Sequence, residues 1–146
     1  MASEIHKERV YGNFRIRKGL QPKAPSSREE RDGNSAPHLS LIRQMPCAVC
    51  LECRPKVIVD PHHLWSGEAL AERGVGMRAP DKFSVPLCRY HHDELHRISS
   101  RREKQWFYDG GIDPFDLAVA LWVSTGDMER MVNILLTQRE IFAKVD

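Results

Sequence analysis

At 146 residues the chain has room for one domain and a tail, and too little for two ordinary domains. Its apolar share of 41% is ordinary, no apolar run approaches the length of a membrane span, and residues 1–10 are charged, unlike a signal peptide; a soluble, intracellular protein that makes no membrane contact is expected. The net charge of +2 is unevenly spread: residues 1–45 carry nine Lys/Arg against five Asp/Glu, 46–105 ten against eight, and 106–146 three against seven, a basic front and an acidic tail that suit a polyanionic partner met by the first two segments.

In chain order, residues 11–17 alternate and predict a short strand, and residues 21–35 are polar and broken by Pro and Gly, as a flexible linker is. Residues 38–45 suit one short helical turn or strand before Pro46. The β-branched run Lys56-Val57-Ile58-Val59-Asp60 predicts a strand that delivers Asp60-Pro61-His62-His63 at its end. Residues 65–81 hold three glycines and Pro80 and read as a loop with a helical turn at 68–73. Phe83-Ser84-Val85-Pro86-Leu87 predicts the partner strand, and residues 89–99 a helix. Helices follow at 101–108, closed by Gly110-Gly111, at 115–124, opened by an Asp113-Pro114 cap, and at 128–144. Trp106, Phe107, Leu117, Leu121 and Trp122 read as core, as do Met131, Ile134, Leu135, Ile141 and Phe142 of the last helix.

Cysteine and histidine carry the chemistry. Three of the four cysteines fall within residues 47–53, which in a chain without an export signal points to metal binding rather than to disulfides. Cys47 and Cys50 form one knuckle, and Cys88 and His91 the second. Two short-spaced pairs of soft or borderline ligands suit a closed, tetrahedral, structural zinc (Zn2+). Cys53 repeats the spacing after Cys50 and could replace Cys47 or stand as a free thiol; Pro46-Cys47-Ala48-Val49-Cys50 closes the tighter turn and is preferred.

His92 and His96 stand four apart on the predicted helix, hence on one face. With His62 from the strand end they make a three-imidazole set that leaves positions open on a second divalent ion (Zn2+, Mg2+, Mn2+ or Ni2+), magnesium being the poorest match to nitrogen ligands. Neighbouring positions of an extended segment face opposite ways, so His62 can ligate while His63 acts as general base on a water.

With these residues in place, Asp60-Pro61-His62-His63-Leu64 and Pro86-Leu87-Cys88-Arg89-Tyr90-His91-His92-Asp93-Glu94-Leu95-His96 resemble the HNH (ββα-metal) endonucleases with zinc knuckles. Together with the 74–81 loop they are similar to phage recombination-enhancement nucleases of the Ref type and to related phage proteins of unknown function. The likeness spans about residues 44–100. It implies an α+β fold: a small ββα-metal unit with structural zinc over 37–100, after a flexible basic segment at 1–36 and before a helical extension at 101–146. It implies metal-dependent cleavage of DNA in the cytoplasm of a bacterial or phage-infected cell, with His62, His92 and His96 on the ion and His63 as base. Action alongside a RecA-type recombinase filament is implied by the Ref likeness alone. Two departures stand out. The family's middle Asn is not at its usual place, Asp81 being the nearest candidate for that supporting role, and Asp60 is an alternative ligand to His62. Arg73, Arg78, Arg89, Arg97, Arg101 and Arg102 are expected along the phosphates, which position a duplex without reading its sequence. The competing expectation is a zinc-stabilised nucleic-acid-binding or recombination accessory protein without catalysis.

Overall fold

The computed structural model describes residues 32–51, 57–74 and 76–144. The strand expected at 11–17, most of the linker at 21–35, and Cys53, Lys56 and Val75 lie outside them. The described elements are helix α1 (Ala36–Ile42), strand β1 (Val59–His63), α2 (Glu68–Glu72), strand β2 (Ser84–Cys88), α3 (Arg89–His96), α4 (Glu103–Asp109), α5 (Pro114–Val123) and α6 (Met128–Ala143). Single 3-10 turns at Asp81–Phe83 and Ser100–Arg102 lead into β2 and α4. The fold is α+β, with one two-stranded sheet.

The sheet is antiparallel, with Val59 opposite Cys88, Pro61 opposite Pro86 and His63 opposite Ser84. β1 therefore begins three residues later than the β-branched run suggests and continues through a proline. The register explains why. Arg89 N–H donates to Ile58 O (3.0 Å) and Leu64 N–H to Phe83 O (2.9 Å), so even-numbered positions of β1 take the ladder hydrogen bonds. Pro61 and Pro86 meet at the intervening pair, where a missing N–H removes nothing from the ladder. The outward carbonyl of Pro86 accepts from Ala48 N–H at 2.8 Å, which ties the 47–50 turn to the sheet.

One continuous core runs from Leu41 and Ile42 through Leu64, Val85, Leu87 and Leu95 to Phe107, Leu117, Leu121, Met131 and Leu135. The helices after residue 101 thus share the core of the strands: α5 packs on β2, on the Asp81–Phe83 turn and on α6. Asp113 caps α5 as its position before Pro114 predicts, its Oδ1 accepting from Phe115 N–H (3.0 Å) and Asp116 N–H (3.1 Å). In α6 the buried stripe is Met128, Met131, Val132, Leu135 and Leu136, one helical face. Ile141, expected in the core, is 57% exposed, because it lies to one side of the stripe that packs, while Phe142 beside it still meets the Tyr108 ring. Trp106 and Trp122 are only half-buried; each lays its ring against a histidine, His91 and His38. Among the described residues no helix is long and apolar enough to cross a membrane.

His38, fully buried in α1, joins this helix to the turn after α5. Its Nδ1 lies 2.7 Å from Thr125 Oγ1, and that hydroxyl donates its proton to Trp122 O at 2.7 Å. His38 Nδ1 then donates to that hydroxyl, and in the neutral ring Nε2 is left bare, in keeping with its having no hydrogen-bond partner among the described residues. Burial pushes its pKa down to about 4, against the opposing pull of Asp81. Because the folded pKa lies below the unfolded 6.5, His38 supports the fold above pH 6.5 and turns against it as pH falls toward 4. The shift is worth roughly 3 kcal/mol. Urea titrations between pH 7 and 4 are expected to show a shallower loss of stability for His38→Gln than for the parent chain; parallel slopes would exclude His38 as the titrating group.

Candidate metal centres

Two side-chain groups converge, the first from two short-range pairs and the second from one short-range pair and a distant partner. The first comprises Cys47, Cys50, Cys88 and His91, whose ligand atoms all lie within 4.8 Å of one another. The 47–50 turn is closed by Leu51 N–H donating to Cys47 O (2.8 Å), with Leu51 in the left-handed region at φ 57°. Cys88 ends β2 and is the residue before α3, so Cys88 and His91 span the strand-to-helix corner. Cys88 Sγ lies 3.2 Å from His91 Nδ1, Cys47 Sγ 3.6 Å from the same atom, and Cys50 Sγ 3.9 Å from Cys88 Sγ. A tetrahedral zinc with ordinary bond lengths sets sulfurs about 3.8 Å apart and sulfur and nitrogen about 3.6 Å apart. The group therefore has the dimensions of a four-ligand metal site and is compatible with structural zinc. The 3.9 Å separation is also far beyond a disulfide bond. Burial pushes the Cys47 thiol up to about 12, so only a bound cation would turn it into a thiolate near neutral pH.

The second group comprises His62 from β1 with His92 and His96 from α3, again within 4.8 Å. His92 Nε2 and His96 Nε2 stand 3.3 Å apart, close to the roughly 3.3 Å between two nitrogens on one tetrahedral ion. The His62 ring centroid is 5.5 Å from that of His92 and 6.0 Å from that of His96. His62 is 1% exposed and His96 is exposed, so the group opens to solvent on the helix side. Burial lowers the pKa of His62 and of His92, and the neighbouring imidazoles add to it, which keeps their nitrogens available to a cation. Trp65 walls the group, its ring edge-on to His62 at 4.9 Å and to His96 at 4.8 Å.

His63 stands outside this trio. Its Nε2 lies 2.9 Å from Asp81 Oδ1, and its side chain is 12% exposed. Asp81 is itself anchored: Oδ2 accepts from Ser35 N–H at 2.9 Å, its own N–H donates to Asn34 Oδ1, and Ser84 Oγ donates to its carbonyl at 2.6 Å. Burial raises the Asp81 pKa, but bonds from His63 and Ser35 and the charge of Arg78 outweigh it, so the carboxylate sits below its ordinary range. With Asp81 accepting at Nε2, Nδ1 of His63 carries the lone pair and can accept a proton. Asp60 is not a member of the trio; its Oδ2 pairs with an Arg89 guanidinium nitrogen at 3.0 Å. That pair also occupies Arg89, while Arg73, Arg78, Arg97, Arg101 and Arg102 are exposed.

Sequence reasoning missed Glu103. This carboxylate, fully buried at the first position of α4, lies 2.8 Å from His62 Nε2. It also accepts from Trp65 N–H (2.8 and 3.0 Å), Ser66 N–H (3.0 Å) and Ser66 O–H (2.7 Å). Gly67 makes the turn around it possible. At φ 60° and ψ −136° it holds a backbone that other residues avoid, and a Cβ there would lie 2.6 Å from the Phe115 ring. The single sequence signal was an acidic residue at a helix start, which ordinarily reads as dipole compensation on the surface.

Fold and site together define a small α+β protein with two Cys/His groups able to hold metal ions. The chain belongs to the family described as "Protein of unknown function (DUF968)", which matches residues 22–109. It is also similar to "Uncharacterized protein YdfU" of Escherichia coli (strain K12), 42% identical over 55 residues. That match covers 38% of this chain and 14% of the relative, so the chain spans a small part of the relative's length. No solved structure matches the chain significantly.

Proposed function

We propose that this chain is a metal-dependent endonuclease of the HNH (ββα-metal) type that hydrolyses phosphodiester bonds of DNA. The observation that carries this reading is the convergence of His62, His92 and His96, with a fourth imidazole, His63, next along β1 and held at one nitrogen by Asp81. A closed structural site would have no need of that second histidine. The strand–strand–helix order of β1, β2 and α3, with both ligand groups at its corners, agrees with the same reading.

In this reading Cys47, Cys50, Cys88 and His91 hold a zinc that clamps the 47–50 turn to the corner between β2 and α3. A divalent ion held by His62, His92 and His96 would supply Lewis-acid stabilisation of charge on the scissile phosphate and the leaving oxygen. Zinc, nickel and manganese suit three imidazoles better than magnesium does. The remaining steps belong to side chains. His63 takes the proton of the attacking water at Nδ1, and Asp81 holds the ring in the matching tautomer and favours the imidazolium that forms. Exposed Arg73, Arg78 and Arg97 contact phosphates flanking the cut, fixing position without sequence preference. Service beside a RecA-type recombinase filament remains part of the proposal through the Ref likeness.

The test is conversion of supercoiled plasmid to nicked and linear forms by the purified chain with Mg2+, Mn2+, Ni2+ or Zn2+, against an EDTA control. Metal-dependent nicking is expected. Retention of DNA by the protein with no cleavage under any metal would replace the nuclease with a binding module.

A further inference from the structure

We infer that Glu103 is a positioning residue for the open metal centre: it holds His62 with Nε2 protonated and so commits Nδ1 to the ion. The inference rests on the metal reading above and deepens it. Glu103 Oε1 lies 2.8 Å from His62 Nε2, and a carboxylate can only accept there, so the ring nitrogen donates. One hydrogen bond thereby decides which nitrogen of His62 faces His92 and His96. The remaining partners of Glu103 are backbone and hydroxyl donors of Trp65 and Ser66, which fill both oxygens and fix the carboxylate in turn.

A charge argument points the same way. Glu103 and His62 are 0% and 1% exposed. Among the described partners of Glu103 there is no Lys or Arg, and a buried carboxylate with neutral donors alone leaves its charge uncompensated. A cation on the far nitrogen of the His62 ring is the complement this arrangement lacks. A carboxylate behind a ligating imidazole fixes the ring's orientation and increases its donation to the metal, and removing such a partner typically weakens binding 10–100-fold. Glu103 opens α4, beyond the span of the HNH likeness. The C-terminal helices thus supply part of the metal centre, not only core.

The experiment uses the full chain with its Cys-rich site filled by one equivalent of zinc. Co2+ is then titrated into the three-histidine site of the parent, Glu103→Gln, Glu103→Asp and Ser66→Ala chains, followed by d–d absorption. Imidazole tautomers are read by long-range 1H–15N NMR on the zinc-only protein. The expected results are an Nε2–H tautomer for His62 in the parent, Co2+ affinity about 10–100-fold weaker in Glu103→Gln, and partial recovery in Glu103→Asp. Ser66→Ala removes only the hydroxyl bond to Glu103 and leaves the Trp65 and Ser66 N–H bonds that hold the carboxylate against His62, so it should lower the melting temperature and weaken Co2+ binding far less than Glu103→Gln does. A Glu103→Gln chain that binds Co2+ as tightly as the parent, or a parent with His62 as the Nδ1–H tautomer, would overturn this inference and leave the metal reading standing. A parent that takes up no second ion would overturn both. If Glu103→Gln does not fold, the parent's tautomer and the Glu103→Asp affinity decide the matter.

Discussion

Replacing His63 with alanine is expected to slow plasmid nicking by about 10²–10⁴-fold, the usual contribution of a positioned general base. The protein should survive the change. Asp81 keeps its bond from Ser35 N–H and the neighbouring Arg78 charge, so the turn before β2 stays anchored. His63 belongs to neither ligand group, so metal content should not change. The measurement is the single-turnover rate of supercoiled DNA loss, beside metal analysis and a thermal melt. Full activity in a folded, metal-loaded His63→Ala protein would move the base elsewhere. His92→Ala, by contrast, should lose both metal at the open site and cleavage, because it removes one of three ligands.

The second large effect is on the fold. Stripping the Cys47, Cys50, Cys88 and His91 site with a strong chelator, or mutating Cys88→Ser, is expected to abolish a cooperative melt, and zinc should restore it to the chelated parent only. Structural zinc in small domains is worth about 10–16 kcal/mol in apparent binding free energy, as much as or more than the 5–15 kcal/mol of a whole domain. The four side chains join the 47–50 turn to the β2–α3 corner, where Cys47 and Cys88 are themselves buried in the core with Met45, Val85, Leu87 and Leu95. The pH dependence has a definite sign. Cys47 holds its proton up to about 12 without a cation, so metal must displace it. Acid therefore favours release, and the chelator concentration that unfolds half the protein should fall as pH is lowered from 8 to 6. Unchanged melting after zinc loss, verified by metal analysis, would show that packing alone carries this region.

The parts of the site legible in the sequence are those built from neighbours. Cys47 with Cys50, Cys88 with His91 and His92 with His96 each need only a tight turn, a strand-to-helix corner or one helical turn to aim two side chains at one point. The caps were legible for the same reason: Asp113 reaches backbone two and three residues on. Strand β1 was misplaced because β-branched composition is a local preference, while its true span is set by pairing, including the match of Pro61 to Pro86 across the sheet. Ile141 was misjudged because spacing suggests an apolar face but not how wide a stripe of it the fold covers.

By itself, then, the sequence determined the short-range Cys and His pairs, the order of elements from β1 onward and the α+β class, since each depends on periodicity and short-range geometry. Tertiary structure alone decided what meets across long separations. It sets Glu103 behind His62, Asp81 on His63 and on the cap of α1, His38 on Thr125, and the C-terminal helices in the same core as the strands. The physical reason is that a buried polar group must find its partner wherever the packed chain brings a complementary atom, and no local pattern records which distant residue that will be.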